Sequence, residues 1–466
     1  MTDYDVIIIG SGVGGAGIGA ILASRGFKVL LIEKNQVIGG RCSTYEKEGF
    51  KIDVGVHSFG RTSRGPLGII LNMIGMENAV EWILARNPGP KWYHEGKFWS
   101  FPRELSNFIP PSDYSSLMKL FRDVMRIKNT RELDTISVKS WLLNYTKNPL
   151  IHSFMSIFSS IYLVTPYYLA SAGEFIRCLS SLSKEMSLGY PKGGCISIPL
   201  AYAQGIKNFG GVVKLNTSAE KIVVEDNKVK GIQTDDSETI LSNLVISNAG
   251  IRETANNLVG REYFDEQYLG QIDSLKYSMS AITFKIALKK PITKYKVVSL
   301  FNLEDHENKF RSILEGHVPE EVDLFVPIVS NYDPLLAPKG KQLIMAGTAV
   351  SRDNFEKNRD KWIKNSMKSL EMIFPDLPNN LLWVDITTPK DIESMGGKEG
   401  AVVGISQSID QVGINRPSSV MPIKGLYIVG GDAGGWGIGT ELAAQSAIDC
   451  AKLILEDSNS EKDYHL

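Results

Sequence analysis

Cysteine is scarce in this chain: four in 466 residues (Cys42, Cys178, Cys195, Cys450), with no CxxC pair and no zinc-ligand spacing. A disulfide-built fold is excluded, and no metal centre is expected; reduced, structural thiols suit a cytoplasmic protein. Net charge is missing too. Lysine and arginine number 51 against 52 acidic residues, leaving −1, so composition offers no basic face for nucleic acid. No P-loop, nucleophile elbow, internal repeat or low-complexity segment stands out. A secretory leader is not expected, because the first strand begins at Tyr4 with no basic and apolar run before it. Residues 148–173 carry no formal charge, yet His152, five serines, Thr165 and Pro166 interrupt them. That stretch predicts the apolar wall of a pocket or a membrane-touching surface rather than a span.

Glycine is abundant, and its placement is informative. Tyr4 to Ile9 is a short β-branched run, as expected of a parallel strand buried on both faces, and Gly10-Ser11-Gly12-Val13-Gly14-Gly15 follows it directly. Gly10 permits a tight turn, Gly12 lets backbone approach a pyrophosphate, and Gly15 lets the next helix pack close to the sheet. A second strand, Lys28 to Ile32, ends at Glu33, 21 residues after Gly12. A carboxylate there accepts from a ribose 2′-hydroxyl and repels a 2′-phosphate, which disfavours NADP. A glycine fingerprint alone is weak; in the order strand, turn, helix, strand and acid it predicts a dinucleotide site.

The rest of the chain alternates in character. Residues 61 to about 188 read mainly as helices punctuated by Pro102, Pro110 and Pro111. Strand patterns resume at Val212 to Leu215, Glu220 to Glu225, Lys228 to Thr234 and Leu241 to Ser247, with a turn at Asp226-Asn227. A third stretch shows strands at 280–288, 324–330, 342–350 and 381–388 and a helix at 358–373, the make-up of an antiparallel α+β lobe. The chain closes with a strand at 425–429, a helix at 440–455 and a polar tail at 457–466 that predicts frayed structure.

Further glycine motifs narrow the cofactor. Val37-Ile38-Gly39-Gly40-Arg41 brings backbone N–H groups and a guanidinium toward a pyrophosphate, and Gly425 to Val429 runs into Gly430-Gly431-Asp432. In order and separation, IIIGSGVGGAGIGAILASRG, LLIEKNQVIGGRC, GFKIDVG, YPKGG, INRPSS and GLYIVGGDA resemble the phytoene desaturase and carotenoid oxidoreductase family of flavoproteins, within the amine-oxidase-like group. The resemblance covers about half the chain. It implies an α/β fold: a discontinuous Rossmann-type FAD-binding domain at 1–60, 189–255 and 405–456, with an inserted α+β substrate domain at 61–188 and 256–404.

By that resemblance FAD is the cofactor. Gly10, Gly12, Val13, Gly14 and Gly15 form its cradle; Glu33, with Lys34 beside it, holds the adenosine ribose; Gly39, Gly40 and Arg41 face the pyrophosphate. Ala219 contacts adenine, Gly431 and Asp432 the ribitol, and Gly439 and Thr440 open the last helix toward the flavin. The family has one glycine before the acid where this chain has two, which leaves the ribitol contact open. With no second fingerprint for NAD(P)H, reoxidation falls to a quinone, to oxygen or to another carrier, unless the net reaction is redox-neutral.

For catalysis the candidates are His57, two residues past Gly55 where the chain leaves the flavin sheet, and Glu174, where desolvation at the end of the uncharged stretch would raise the carboxyl pKa. Tyr167, Tyr168, Phe175 and Trp436 are candidates for an apolar tunnel or for simple core. The expected reaction is hydride transfer between a carbon–carbon bond of an apolar, isoprenoid-like substrate and flavin N5. The alternatives are a saturase or double-bond isomerase, an amine oxidase, and a non-catalytic FAD-holding partner. Peripheral membrane contact stays open.

Overall fold

Val6–Ile9 is buried at every position, which only a strand covered on both faces permits. In the computed structural model, which describes residues 2–100, 103–185, 187–303 and 305–463, it lies at the centre of a five-stranded parallel sheet. The order is Leu426–Ile428, Val245–Ser247, Val6–Ile9, Val29–Ile32 and Val212–Lys214. The sheet thus gathers strands from the start, middle and end of the chain. The Val13–Ser24 helix packs on it between Ser197–Asn208 and Gly439–Asp463. Beside it, Ala219–Glu225, Lys228–Thr234 and Thr239–Leu241 form a meander. Its turn has positive φ at both Asp226 (48°) and Asn227 (56°), the type I′ geometry that suits the twist of a hairpin.

A seven-stranded sheet forms the second lobe, in the order Leu381–Thr387, Ser280–Leu288, Gln342–Val350, Leu324–Pro327, Val297–Leu300, Lys91–His94 and Lys97–Ser100. Along Ser280–Leu288 the faces alternate. Ile282, Phe284 and Ile286 join Trp362 and Leu370 of the Arg359–Ile373 helix in one core, while Ala281 and Thr283 face a cavity on the other side. Over that cavity lies the Pro149–Leu163 helix, capped by Asn148, whose Oδ1 accepts from Leu150 N at 2.8 Å. It occupies the uncharged stretch, and Phe154, Met155, Ile157 and Phe158 line the cavity. Among the described residues, no helix is long and apolar enough to cross a membrane.

Three local expectations are corrected. The segment read as mainly helical contains the Lys91–Ser100 hairpin, which extends the large sheet through a parallel pairing with Val297–Leu300. Trp92 anchors it, stacked on Phe301 at 5.1 Å with Nε1 donating to Phe301 O at 3.1 Å. The Leu241–Ser247 run breaks in two: Ser242 N still donates to Lys230 O of the meander at 3.0 Å, while its Oγ lies 3.1 Å from Asp5 O and 2.9 Å from Leu244 O, where the chain crosses to the parallel sheet. The polar tail is helical to Asp463, continuing the last helix; residues 464–466 lie outside the described residues.

Candidate functional site

The glycine turn after Val6–Ile9 is shaped by contacts that tolerate no side chain. Gly10 sits at φ +92°, and a Cβ on Gly15 would stand 2.1 Å from Gly10 O, so the Val13–Ser24 helix approaches the strand as only glycine allows. A Cβ on Gly12 would meet Asn248 Nδ2 at 2.6 Å. No acidic residue stands in the first turn of that helix, whose free N–H groups favour an anion.

Glu33, at the end of the neighbouring strand, is held on both oxygens. Its Oε2 accepts from Ser11 N (2.9 Å) and Ser11 Oγ (2.6 Å), and its Oε1 accepts from Asn35 N and Nδ2 (2.9 Å each). Ser11 Oγ also accepts from Gly39 N at 3.1 Å, tying the first glycine turn to the second. Arg41 turns toward the loop at 401–402, where Nη1 donates to Ala401 O (2.5 Å) and Val402 O (2.9 Å). Burial pushes its guanidinium down from the ordinary range despite the nearby Asp432.

These pieces surround one continuous cavity of about 1700 Å³. Gly10, Gly12, Val13, Gly14, Glu33, Lys34, Gly39, Gly40, Arg41, Ala219, Gly431, Gly439 and Thr440 all line it. Gly15 and Asp432 do not. Gly15 is a packing glycine, and Asp432 is fully buried, its Oδ2 accepting from Ile251 N at 3.2 Å and its Oδ1 paired with Lys398 Nζ at 3.2 Å. Beyond that ion pair, Oδ1 has no further hydrogen-bond donor among the described residues. With its glycine approaches, a helix N-terminus and a carboxylate at the second strand end, the cradle fits an elongated dinucleotide.

Two cradle groups escaped the sequence reading. Asn248 follows Val245–Ser247 and faces the glycine turn, and its signal is the SNAG ending of a buried strand. Lys398 lies in a loop where Gly397, Lys398, Glu399 and Gly400 all have positive φ (59°, 54°, 53° and 72°). Glycine density in GGKEG was its only mark, since spacing does not reveal left-handed backbone at lysine and glutamate.

His57 lines the cavity near the cradle. Its ring stacks on Phe59 at 5.9 Å, and Nδ1 lies 3.1 Å from Gly55 O. Burial pushes the imidazole pKa down even though Asp53 opposes that, which favours the neutral ring at pH 7. Asp53, His57 and Cys195 bring ligand-type atoms within 4.8 Å of one another. The Asp53 oxygens, however, already accept from Thr44 Oγ1 and Cys195 N and from the Tyr190 hydroxyl, so this group reads as a structural bond network.

Glu174 stands elsewhere. It is fully buried and absent from the cavity lining; Oε2 accepts from Arg177 Nη2 at 2.7 Å and Nε at 3.1 Å, and Oε1 accepts from Gly437 N at 2.6 Å. Its carboxylate therefore pins the glycine-rich loop that runs to the lining residues Ile438, Gly439 and Thr440. Tyr167, Tyr168, Phe175 and Trp436 also miss the lining. Tyr167 donates to Glu307 at 2.8 Å, Tyr168 lies under Arg311, Phe175 is core against Phe158, and Trp436 lies under Arg61.

The cavity floor adds a group that composition hid. Lys285 is buried beneath Thr387, to whose Oγ1 it donates, and burial brings its pKa to about 8 against the pull of Asp385 and Asp391. Thr387 lines the cavity, as does Thr283, whose buried Oγ1 has no hydrogen-bond partner among the described residues.

The family model described as flavin containing amine oxidoreductase matches residues 19–455 of this chain. Prolycopene isomerase 2, chloroplastic, of an Oncidium hybrid cultivar is 25% identical, over 99% of this chain and 85% of its own. The phytoene desaturase of Fusarium fujikuroi is 24% identical over 97% and 89%. Among solved structures, an oxidoreductase from Methanosarcina mazei superimposes with a TM-score of 0.76 at 22% identity, covering 96% of this chain and 99% of that one, a likeness of fold.

Proposed function

The chain belongs to the flavin-containing amine oxidoreductase family, and from that premise we propose that this FAD-dependent oxidoreductase acts on a carbon–carbon bond of an apolar, polyene-like substrate. One observation carries the reading: the cavity that begins at the glycine cradle continues, without a break, between Phe154, Met155 and Phe158 above and Ala281, Thr283 and Gly347 of the large sheet below. At about 1700 Å³ it exceeds the roughly 300–1,000 Å³ of a drug-sized pocket, leaving room for a long ligand beside a dinucleotide. The prolycopene isomerase and phytoene desaturase likenesses support the same substrate class.

Bound FAD supplies two-electron hydride chemistry at its flavin. In this reading the cradle residues would hold its adenosine and pyrophosphate, and the N-terminus of Gly439–Asp463, presenting roughly half a positive charge to the cavity, would favour negative charge on the bound ring. Asp432, behind the cavity wall and paired with Lys398, would position the adjoining Gly430-Gly431 turn toward the ribityl end of the cofactor. The apolar wall excludes water from the reacting carbon. Lys285 holds or releases a proton at Nζ near neutral pH, with Thr387 Oγ1 as its contact at the cavity wall. The acceptor that reoxidises the enzyme is a quinone or oxygen, and peripheral membrane contact supplies the apolar substrate.

A redox-neutral double-bond isomerisation is the second reading. The lack of a second dinucleotide fingerprint and the prolycopene isomerase likeness both favour it. The test is anaerobic mixing of the holoenzyme, oxidised or pre-reduced, with phytoene, prolycopene and a panel of amines. Bleaching of the oxidised flavin by the polyene supports desaturation, and product from the reduced enzyme without net flavin change supports isomerisation. Bleaching by amines alone overturns both.

A further inference from the structure

The same cavity carries a polar cluster away from the glycine cradle, where the Pro149–Leu163 helix, the His306–Leu314 helix and the start of Leu324–Pro327 meet. His306 and Asp323 line the cavity there, beside Phe301 and Phe310. His306 is 2% exposed; its Nδ1 lies 2.9 Å from Ser156 Oγ and its Nε2 3.4 Å from Asp323 Oδ2. Lys309, one turn further on, donates to Asp323 Oδ1 at 2.5 Å and is not a lining residue, so the cation stands behind the carboxylate.

Placing such a group in an apolar wall costs free energy that a well-packed apolar side chain would not, so its presence calls for a use. Its chemistry narrows that use. Burial works against ionisation of Asp323, but Lys309 and His306 hold its carboxyl below the ordinary range, and a carboxylate only accepts hydrogen bonds. Oδ1 is taken by Lys309, whereas Oδ2 has, among the described residues, only the long contact to His306, and the side chain is 23% exposed. Lys309 balances the charge, leaving no net attraction for an acid or an amine. The matching ligand is therefore neutral and carries a hydrogen-bond donor on an otherwise apolar body.

We propose that Asp323, positioned by Lys309 and His306, receives the hydroxyl of the substrate, and that the substrate class is a long-chain polyene or isoprenoid alcohol rather than a hydrocarbon. This rests on the cavity being the apolar substrate site argued above. An anchored hydroxyl also fixes which carbon–carbon bond along the chain reaches the cofactor end.

The test titrates the FAD-loaded protein with geranylgeraniol, its methyl ether and the parent hydrocarbon, read by isothermal titration calorimetry. The alcohol is expected to bind about tenfold to a hundredfold more tightly than the ether, the worth of a hydrogen bond to a charged acceptor. In Asp323→Leu combined with Lys309→Met the preference collapses to about twofold or less while ether affinity is unchanged. Asp323→Asn, which keeps the shape, loses about half of the preference on a logarithmic scale. Equal binding of alcohol and ether to the wild type overturns the hydroxyl assignment and leaves the apolar site standing. A preference that survives both variants overturns the role of Asp323. If none of the three binds to flavin-loaded protein, the apolar-substrate reading itself falls.

Discussion

Glu174→Gln separates a positioning role from an acid–base role. In the wild type Glu174 Oε2 receives two hydrogen bonds from Arg177 and Oε1 receives one from Gly437 N at 2.6 Å. Glutamine keeps a carbonyl oxygen for one of these contacts and loses the charge. Arg177 is not stranded, because Asp134 accepts from its Nη2 at 2.6 Å and Nη1 at 3.2 Å, and Thr130 Oγ1 from Nη1 at 2.5 Å. The cost should therefore fall short of the roughly 3–5 kcal/mol that follows when a buried ion loses its only partner. The loss of a hydrogen bond to a charged group gives about 1.5–3 kcal/mol. Thermal denaturation of the holoenzyme should show a midpoint several degrees lower. Flavin should be retained less tightly and reduced more slowly, because the loop through Gly437 leads into the lining residues Gly439 and Thr440. The pH profile of flavin reduction should keep its shape. A variant whose stability stays within about 0.5 kcal/mol of wild type while one limb of that profile disappears would refute the reasoning and return Glu174 to acid–base chemistry.

Gly15→Ala should abolish flavin retention, since its Cβ would stand 2.1 Å from Gly10 O; flavin absorbance per protein after gel filtration measures this. Lys285 has a folded pKa of about 8, below the ordinary lysine value, so the unfolded chain holds more protons between about pH 8 and 10.5 and stability rises with pH across that window. Lys285→Met should remove that rise and stabilise the protein at pH 7 by up to about 3 kcal/mol; parallel denaturation curves that differ equally at every pH would contradict it. Lys398→Met leaves the Asp432 charge buried without its partner and should cost about 3–5 kcal/mol, with Asp432→Asn in the same chain restoring most of it in a double-mutant cycle. Phe158→Gln in the cavity wall should weaken polyene binding about tenfold to a hundredfold with flavin content unchanged, following the transfer free energy of an aromatic side chain; an unchanged dissociation constant would remove Phe158 from the substrate path.

The cofactor half of the molecule was legible because its chemistry is local. Strand, glycine turn, helix and acid lie within residues 4–33, and backbone conformation there depends on residues that are glycine for steric reasons readable one at a time. The Lys91–Ser100 hairpin was less legible, although its Glu95-Gly96 turn, with φ of 50° and 74°, had a readable signal; its place in the sheet depends on Trp92 meeting Phe301, some 200 residues away. Glu174 shows the opposite failure. An acid at the end of an uncharged stretch does suggest a perturbed group, but what it binds, Gly437, comes from the far end of the chain. Lys285, Lys398 and the His306–Asp323 cluster were silent for the same reason: each is an ordinary charged residue until the fold buries it.

The parallel sheet places Val245–Ser247 between Val6–Ile9 and Leu426–Ile428, and Gly14 packs against Gly430. During synthesis, then, the glycine turn lacks its opposite wall until more than 400 further residues have left the ribosome. Loops that long close slowly, and the unfinished strands expose edges that invite pairing with other chains. FAD capture thus becomes a late event in biogenesis that waits on the strand at 426–428, and cellular flavin supply should govern how much of this protein accumulates as much as how fast it turns over.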